Sequence, residues 1–168
     1  MKTNLSPGKE ASALSVDWST QLGERSLLKI VLDAVQTVNV ACLQQDGKQQ
    51  PGYRPQMLLT LLTYCYASNI FGSRDIEAAT DYEPTTRYIC AHTFPEWPAV
   101  RRFRRQHREW LEHCLTVVLK QAWAAKFEQG EALHLGYTWF EWQFNQQINT
   151  EVRRRLELAS IIDGAESD

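Results

Sequence analysis

Nowhere in the 168 residues do about 18 apolar residues follow one another, so the chain lacks a membrane-spanning helix of ordinary length. The amino terminus, MKTNLSPGKEASALS, also lacks the apolar run of a signal peptide. Together these absences set the expectation of a soluble, cytoplasmic protein with no membrane partner. Cysteine is sparse: Cys42, Cys65, Cys90 and Cys114 stand far apart with no CxxC pair. That pattern points to buried free thiols in a reducing compartment rather than to disulfides or zinc. His92, His107, His113 and His134 have no spacing that converges with a cysteine or carboxylate. We therefore expect no metal and no cofactor. A glycine-rich phosphate loop and a nucleophile elbow are missing too, which leaves hydrolase and nucleotide-binding functions without a sequence basis.

An excess of charge of one sign is also lacking. The formal net charge is -2 and the isoelectric point about 6.1, so the surface as a whole does not attract nucleic acid. Any such contact has to be local. The length allows one sizeable core with an appended element. We divide the chain into a leader over 1–17, a helical domain over 18–126, and a helical extension over 127–168. The extension ends in an acidic tail, IIDGAESD, expected to stay clear of the helix faces.

What the sequence does contain is helical periodicity. Leu27, Leu28, Val31, Leu32, Val35, Val38 and Leu43 recur at helical spacing between Glu24 and Gln45. After a polar connection, PQMLLTLLTYCYASN starts with Pro55, which suits a first helical turn, and is apolar nearly all round. It should be the central buried helix. Gly72 and Ser73 open a short helix, SRDIEAATDY; Pro84 ends it, and Thr85 or Thr86 can cap another short one, TRYICAH. Beyond Lys126, Phe140, Phe144, Ile148, Val152, Leu156 and Ala159 form an apolar stripe on a terminal amphipathic helix, although Thr138, Phe140, Trp142 and Phe144 also alternate as a strand would. Trp139, Phe140, Trp142 and Phe144 are the candidate partner or dimer interface. The expected fold is thus all-α, a compact multi-helix domain with an additional carboxy-terminal amphipathic helix.

The chemistry concentrates between Pro98 and Lys126, PAVRRFRRQHREWLEHCLTVVLKQAWAAK, read as one long helix. At about 100° per residue, Val100, Phe103, His107, Trp110, Leu111, Cys114, Val117 and Val118 share an apolar arc. Arg101, Arg102, Arg104, Arg105 and Arg108 occupy the rest. Arg105 can pair with Glu109 and Arg108 with Glu112, but Arg101 faces Arg105 and Arg104 faces Arg108. Like charges at this spacing cost about 0.2–0.5 kcal/mol each, and they sit where the helix dipole disfavours cations. A phosphate anion in use would resolve that conflict. A tight turn feeding a basic helix also fits helix-turn-helix logic, in which the second helix enters the major groove. Arg101, Arg102 and Arg104 are the first candidates for DNA contact, followed by Arg105 and Arg108, which have acidic partners along the helix; Arg74 and Arg87 are secondary phosphate candidates, and Arg153, Arg154 and Arg155 a further basic cluster.

Several blocks in order then carry a resemblance. Pro55 to Tyr66, Ser73-Arg74-Asp75-Ile76-Glu77, Arg87-Tyr88-Ile89 and Arg102-Phe103-Arg104-Arg105-Gln106-His107 resemble the amino-terminal helical domain of bacterial insertion-sequence transposases of the DDE class. The likeness runs from Tyr53 to Lys120, with the helix from Glu24 fitting more loosely. It implies binding to the terminal inverted repeats of a mobile element. Two departures stand out. Where the family carries Asp-His-Ser/Thr before its arginine helix, this chain has Glu96-Trp97-Pro98. Where the family continues into an RNase H-like domain with a metal-binding acidic triad, this chain has no aspartate between Asp81 and Asp163.

The leading expectation is therefore a transposase-derived protein that binds double-stranded DNA and is not itself an enzyme, since two-metal phosphoryl transfer needs clustered carboxylates. It could serve as a regulator, a truncated product or the first frame of a frameshifted transposase, nucleoid-associated when bound. Homo-oligomers and a separate catalytic transposase chain are the candidate protein partners. The competing expectation is a helical dimerisation or interaction module that keeps the fold and has lost DNA binding.

Overall fold

The computed structural model describes residues 14–39, 41, 43, 52–127 and 141–165. Among them the chain is all-α, as expected, with eight helices and no strand: α1 Trp18–Leu22, α2 Glu24–Gln36, α3 Pro55–Ala67, α4 Ser73–Tyr82, α5 Pro84–Cys90, α6 Trp97–Gln106, α7 Arg108–Phe127 and α8 Glu141–Ala165. No helix among these residues is long and apolar enough to cross a membrane.

Pro55 occupies the first turn of α3, and every residue from Leu58 to Ala67 is buried. A helix apolar on all sides has to be surrounded, and α2, α5, α6 and α7 all pack on it. Helix α7 is the second hub, packing on α1, α2, α3 and α8. The apolar stripe of α8 is buried at Ile148, Val152, Leu156 and Ala159 within the same core, so α8 belongs to the packed body. The packed body also begins earlier than position 18: Leu14 and Trp18 are fully buried. Helix α2 ends at Gln36 rather than near Gln45. Between α1 and α2 the chain reverses at Gly23, whose φ of 86° suits glycine.

The basic segment is two helices, not one. His107 leaves helical geometry at φ -123°, ψ 32°, and α7 restarts at Arg108. The apolar arc is continuous across the break, with Val100, Phe103, His107, Leu111, Cys114 and Val118 all buried. The break lets α6 lie on α4 while α7 turns into the core between α2, α3 and α8.

A buried arginine joins three remote segments. Arg155 on α8 is 0% exposed. Its Nε donates to Glu151 Oε1 at 2.8 Å. Nη1 donates to the carbonyls of Tyr66 and Ala67 at 2.6 and 3.1 Å, and Nη2 to those of Leu14 and Val16, both at 2.8 Å. All five guanidinium donors are used. Burial opposes charge on Glu151, but hydrogen bonds from Arg154 and Arg155 outweigh it and hold its carboxyl below the ordinary value. Replacing Arg155 by methionine should lower unfolding free energy by about 3–5 kcal/mol, since it strands buried carbonyls and a carboxylate partner. Urea denaturation checks this, and a loss below 1 kcal/mol would contradict the assigned role.

Candidate nucleic-acid interface

Helix α6 starts without a side-chain cap of its own. Glu96-Trp97-Pro98 offers none locally, and the cap comes from α4: the Trp97 N–H donates to Glu77 Oε2 at 3.2 Å. The Trp97 ring then gathers cations. The guanidinium carbons of Arg74 and Arg101 lie 4.8 and 4.6 Å from its centroid, within cation–π range. Trp97 is thus the half-buried first residue of α6, and its ring meets two arginines.

The four arginines of α6 divide by helical phase. Arg102 and Arg105 are exposed, whereas Arg101 and Arg104 are 8% and 5% exposed. This corrects the expectation that Arg101 and Arg104 stand outward. Both are drawn inward by Asp163 of α8. Arg104 Nη1 donates to Asp163 Oδ2 and, at 3.3 Å, to the carbonyl of Ala159. Arg101 Nε lies 3.7 Å from the same carboxylate oxygen. Asp163 also accepts from the Ser73 N–H at 2.8 Å and the Ser73 hydroxyl at 2.7 Å, so it supplies the missing cap of α4. Burial lowers the pKa of Arg104 from its ordinary value.

Asp163 is what the sequence reading missed, having set the acidic tail apart from the helix faces. The signal was available: Asp163 continues the buried stripe one helical step past Ala159 and is itself 1% exposed. A lone acid on a buried stripe requires a buried cation. The same reasoning removes Arg155 from the surface cluster. Arg154 is tied to Glu151 at 2.7 Å, and Arg153 lies 3.6 Å from Glu112, the residue expected to pair with Arg108.

What remains is a basic surface on α6 and α4. Trp97, Pro98, Arg101, Arg102, Arg105 and Gln106 line an open hollow of about 350 Å³, with exposed Arg74 stacked at Trp97. Arg108 on α7 and Arg87 on α5 are exposed. Phe144 of the expected interface is half-buried and packs on Trp123 within the chain, centroids 6.1 Å apart. Trp139 and Phe140, and the side chain of Trp142, lie outside the described residues.

Residues 24–106 match the transposase domain DUF772. The match runs from the start of α2 to the end of α6 and supports a transposase-related protein. No curated protein and no solved structure matches the chain. The matched span therefore includes the basic surface and both buried arginines, while their acidic partner Asp163 lies beyond it. Outside that surface little chemistry is available. No group of three or more His, Cys, Asp or Glu residues able to hold a metal occurs among the described residues. Cys65, Cys90 and Cys114 are buried free thiols, and burial pushes Cys90 up to about 11 and Cys114 to about 12, far from reactive thiolates.

The split between arginines has a stability signature. Arg104→Ala should cost about 3–5 kcal/mol by depriving Asp163 of a buried partner, and Arg102→Ala should stay within about 0.5 kcal/mol of the parent. Thermal and urea unfolding of the two variants distinguish them; equal costs would contradict the burial pattern.

Proposed function

We propose that this transposase-related chain binds double-stranded DNA through the outer face of α6. The observation that carries this reading is the exposure of Arg102 and Arg105 along one hollow, beside the Arg74–Trp97 stack. Two cations three residues apart on one helix repel each other, and a phosphate backbone supplies the countercharge that lowers that cost. Arginine suits the task because its planar fork matches phosphate oxygens and the edge of guanine. In this reading α4 and α5 lead into α6 as a helix-turn-helix-like unit. Arg74 and Arg87 contribute backbone contacts, and Arg108 flanks the site.

The reading is binding without cleavage by this chain. It rests on the lack of any aspartate between Asp81 and Asp163 and on the commitment of Asp163 to Ser73 and two arginines. A carboxylate spent in this way is not available to hold a catalytic ion.

Two measurements test the proposal. Fluorescence anisotropy with a mixed-sequence duplex should give an affinity that falls with salt. The double change Arg102→Ala/Arg105→Ala should flatten the log–log salt slope by about 2 and weaken binding roughly tenfold. Parent-like binding by a folded double variant rules this face out. Separately, supercoiled plasmid incubated with the chain and Mg²⁺ should remain supercoiled; nicking that tracks the protein through purification overturns the non-catalytic part.

A further inference from the structure

The end of α8 carries the acid that governs α6, and it is held differently from the rest of that helix. Ile148, Val152 and Leu156 anchor the earlier turns in the core. In the last turns Ser160, Ile161, Gly164 and Ala165 are exposed, Ile161 by 65%. The attachments of this end to α4 and α6 include the Asp163 carboxylate, the Ala159 carbonyl and the approach of Ile162 to Gly72. A Cβ on Gly72 would stand 3.0 Å from Ile162 Cγ2. A terminal turn with this many exposed residues belongs to the part of a helix that opens first.

The groups that hold Asp163 are those that hold phosphate: a helix N-terminal N–H, a serine hydroxyl and two guanidinium groups. Summed formally, Arg101, Arg104 and Asp163 leave one positive charge. Arg101 also lines the hollow used by Arg102 and Arg105, so the cradle and the open face are continuous. We infer that Asp163 is an autoinhibitory contact, an internal surrogate for a DNA phosphate. It occupies Ser73, Arg101 and Arg104 until the last turns of α8 release and give these donors to the DNA backbone. The inference rests on the reading of α6 as a DNA-binding helix. A tethered carboxylate competes at an effective concentration on the order of millimolar or more. Single free phosphates therefore fail to displace it, whereas a duplex already held by Arg102 and Arg105 presents its next phosphate locally.

The test compares Asp163→Asn, which keeps shape and removes charge, with the parent in duplex binding between 50 and 200 mM salt, with folding followed by circular dichroism. Removing the competing carboxylate should tighten binding about tenfold at the low-salt end, with the salt slope near the parent's because both complexes use the same arginines. If the parent binds through Arg102 and Arg105 but the folded variant has the parent's affinity, the inference falls and the DNA reading stands. If neither chain binds duplex, both fall. Hydrogen exchange on the unmodified chain gives the result independently of the variant's folding. Saturating duplex should deprotect residues 160–165 while 148–156 stay protected, and unchanged protection at 160–165 overturns the inference.

Discussion

The fold depends on one buried guanidinium. Arg155 brings a full charge into the core, where an unpaired ion would be untenable, and meets five acceptors from three segments far apart in sequence. Two of them, the carbonyls of Tyr66 and Ala67, belong to the last turn of α3, where helix carbonyls lack intrahelical donors and the dipole favours a cation. Two others are the carbonyls of Leu14, a helical residue, and of Val16, in the bend that follows it. The arrangement is specific more than it is stabilising, because a buried ion pair rarely outperforms apolar packing while its disruption is costly. Its consequence is placement. With Arg155 fixed against the end of α3, Asp163 lies about 12 Å further along α8, at the start of α4.

That placement divides α6. In a helix, residues three apart share a face. Arg101 and Arg104 form one such pair and Arg102 and Arg105 the other, and only the first meets a carboxylate on a neighbouring helix. The inward pair fastens α6 to α8 at the cost of desolvation. The outward pair stays hydrated and charged. Trp97 links the two sets, since its ring receives Arg101 from one and Arg74 from the neighbouring helix. A motif of four arginines in five positions is thus half scaffold and half surface, and only a fold in which another helix supplies the acid can make that division.

Periodicity of apolar residues made much of this legible. The central helix at Pro55, the short helices either side of Pro84, and the stripe from Ile148 to Ala159 all follow from spacing, because burial of apolar area sets both the pattern and the packing. The break at His107 was not legible, since the apolar arc runs through it unbroken and the change lies in direction rather than in face. Charged residues were the main obstacle. Treating charge as surface by default put Arg101, Arg104, Arg155 and Asp163 outside, although each sits in phase with buried apolar neighbours. The ion pairs span 59 and 62 residues for Asp163 and bring carbonyls from as far as Leu14 to Arg155, separations that no local rule connects.

The extent of the family match gives this arrangement its meaning. The span matched by the transposase-domain family, residues 24–106, contains Ser73, Arg101 and Arg104 but ends at the last residue of α6. Without α8 those donors would face either solvent or an anion from elsewhere, because two guanidinium groups and a helix N-terminus cannot be buried without a countercharge. The matched span by itself therefore carries four arginines on α6 and no Asp163, whereas in this structure Asp163 engages two of them. The difference is made by one carboxylate on a helix outside the matched span, near the end of that helix. A structural salt bridge alone would be equally well served by an acid within the domain. In the autoinhibitory reading, an acid carried on the end of α8 couples the charge of the basic face to whether that end is docked.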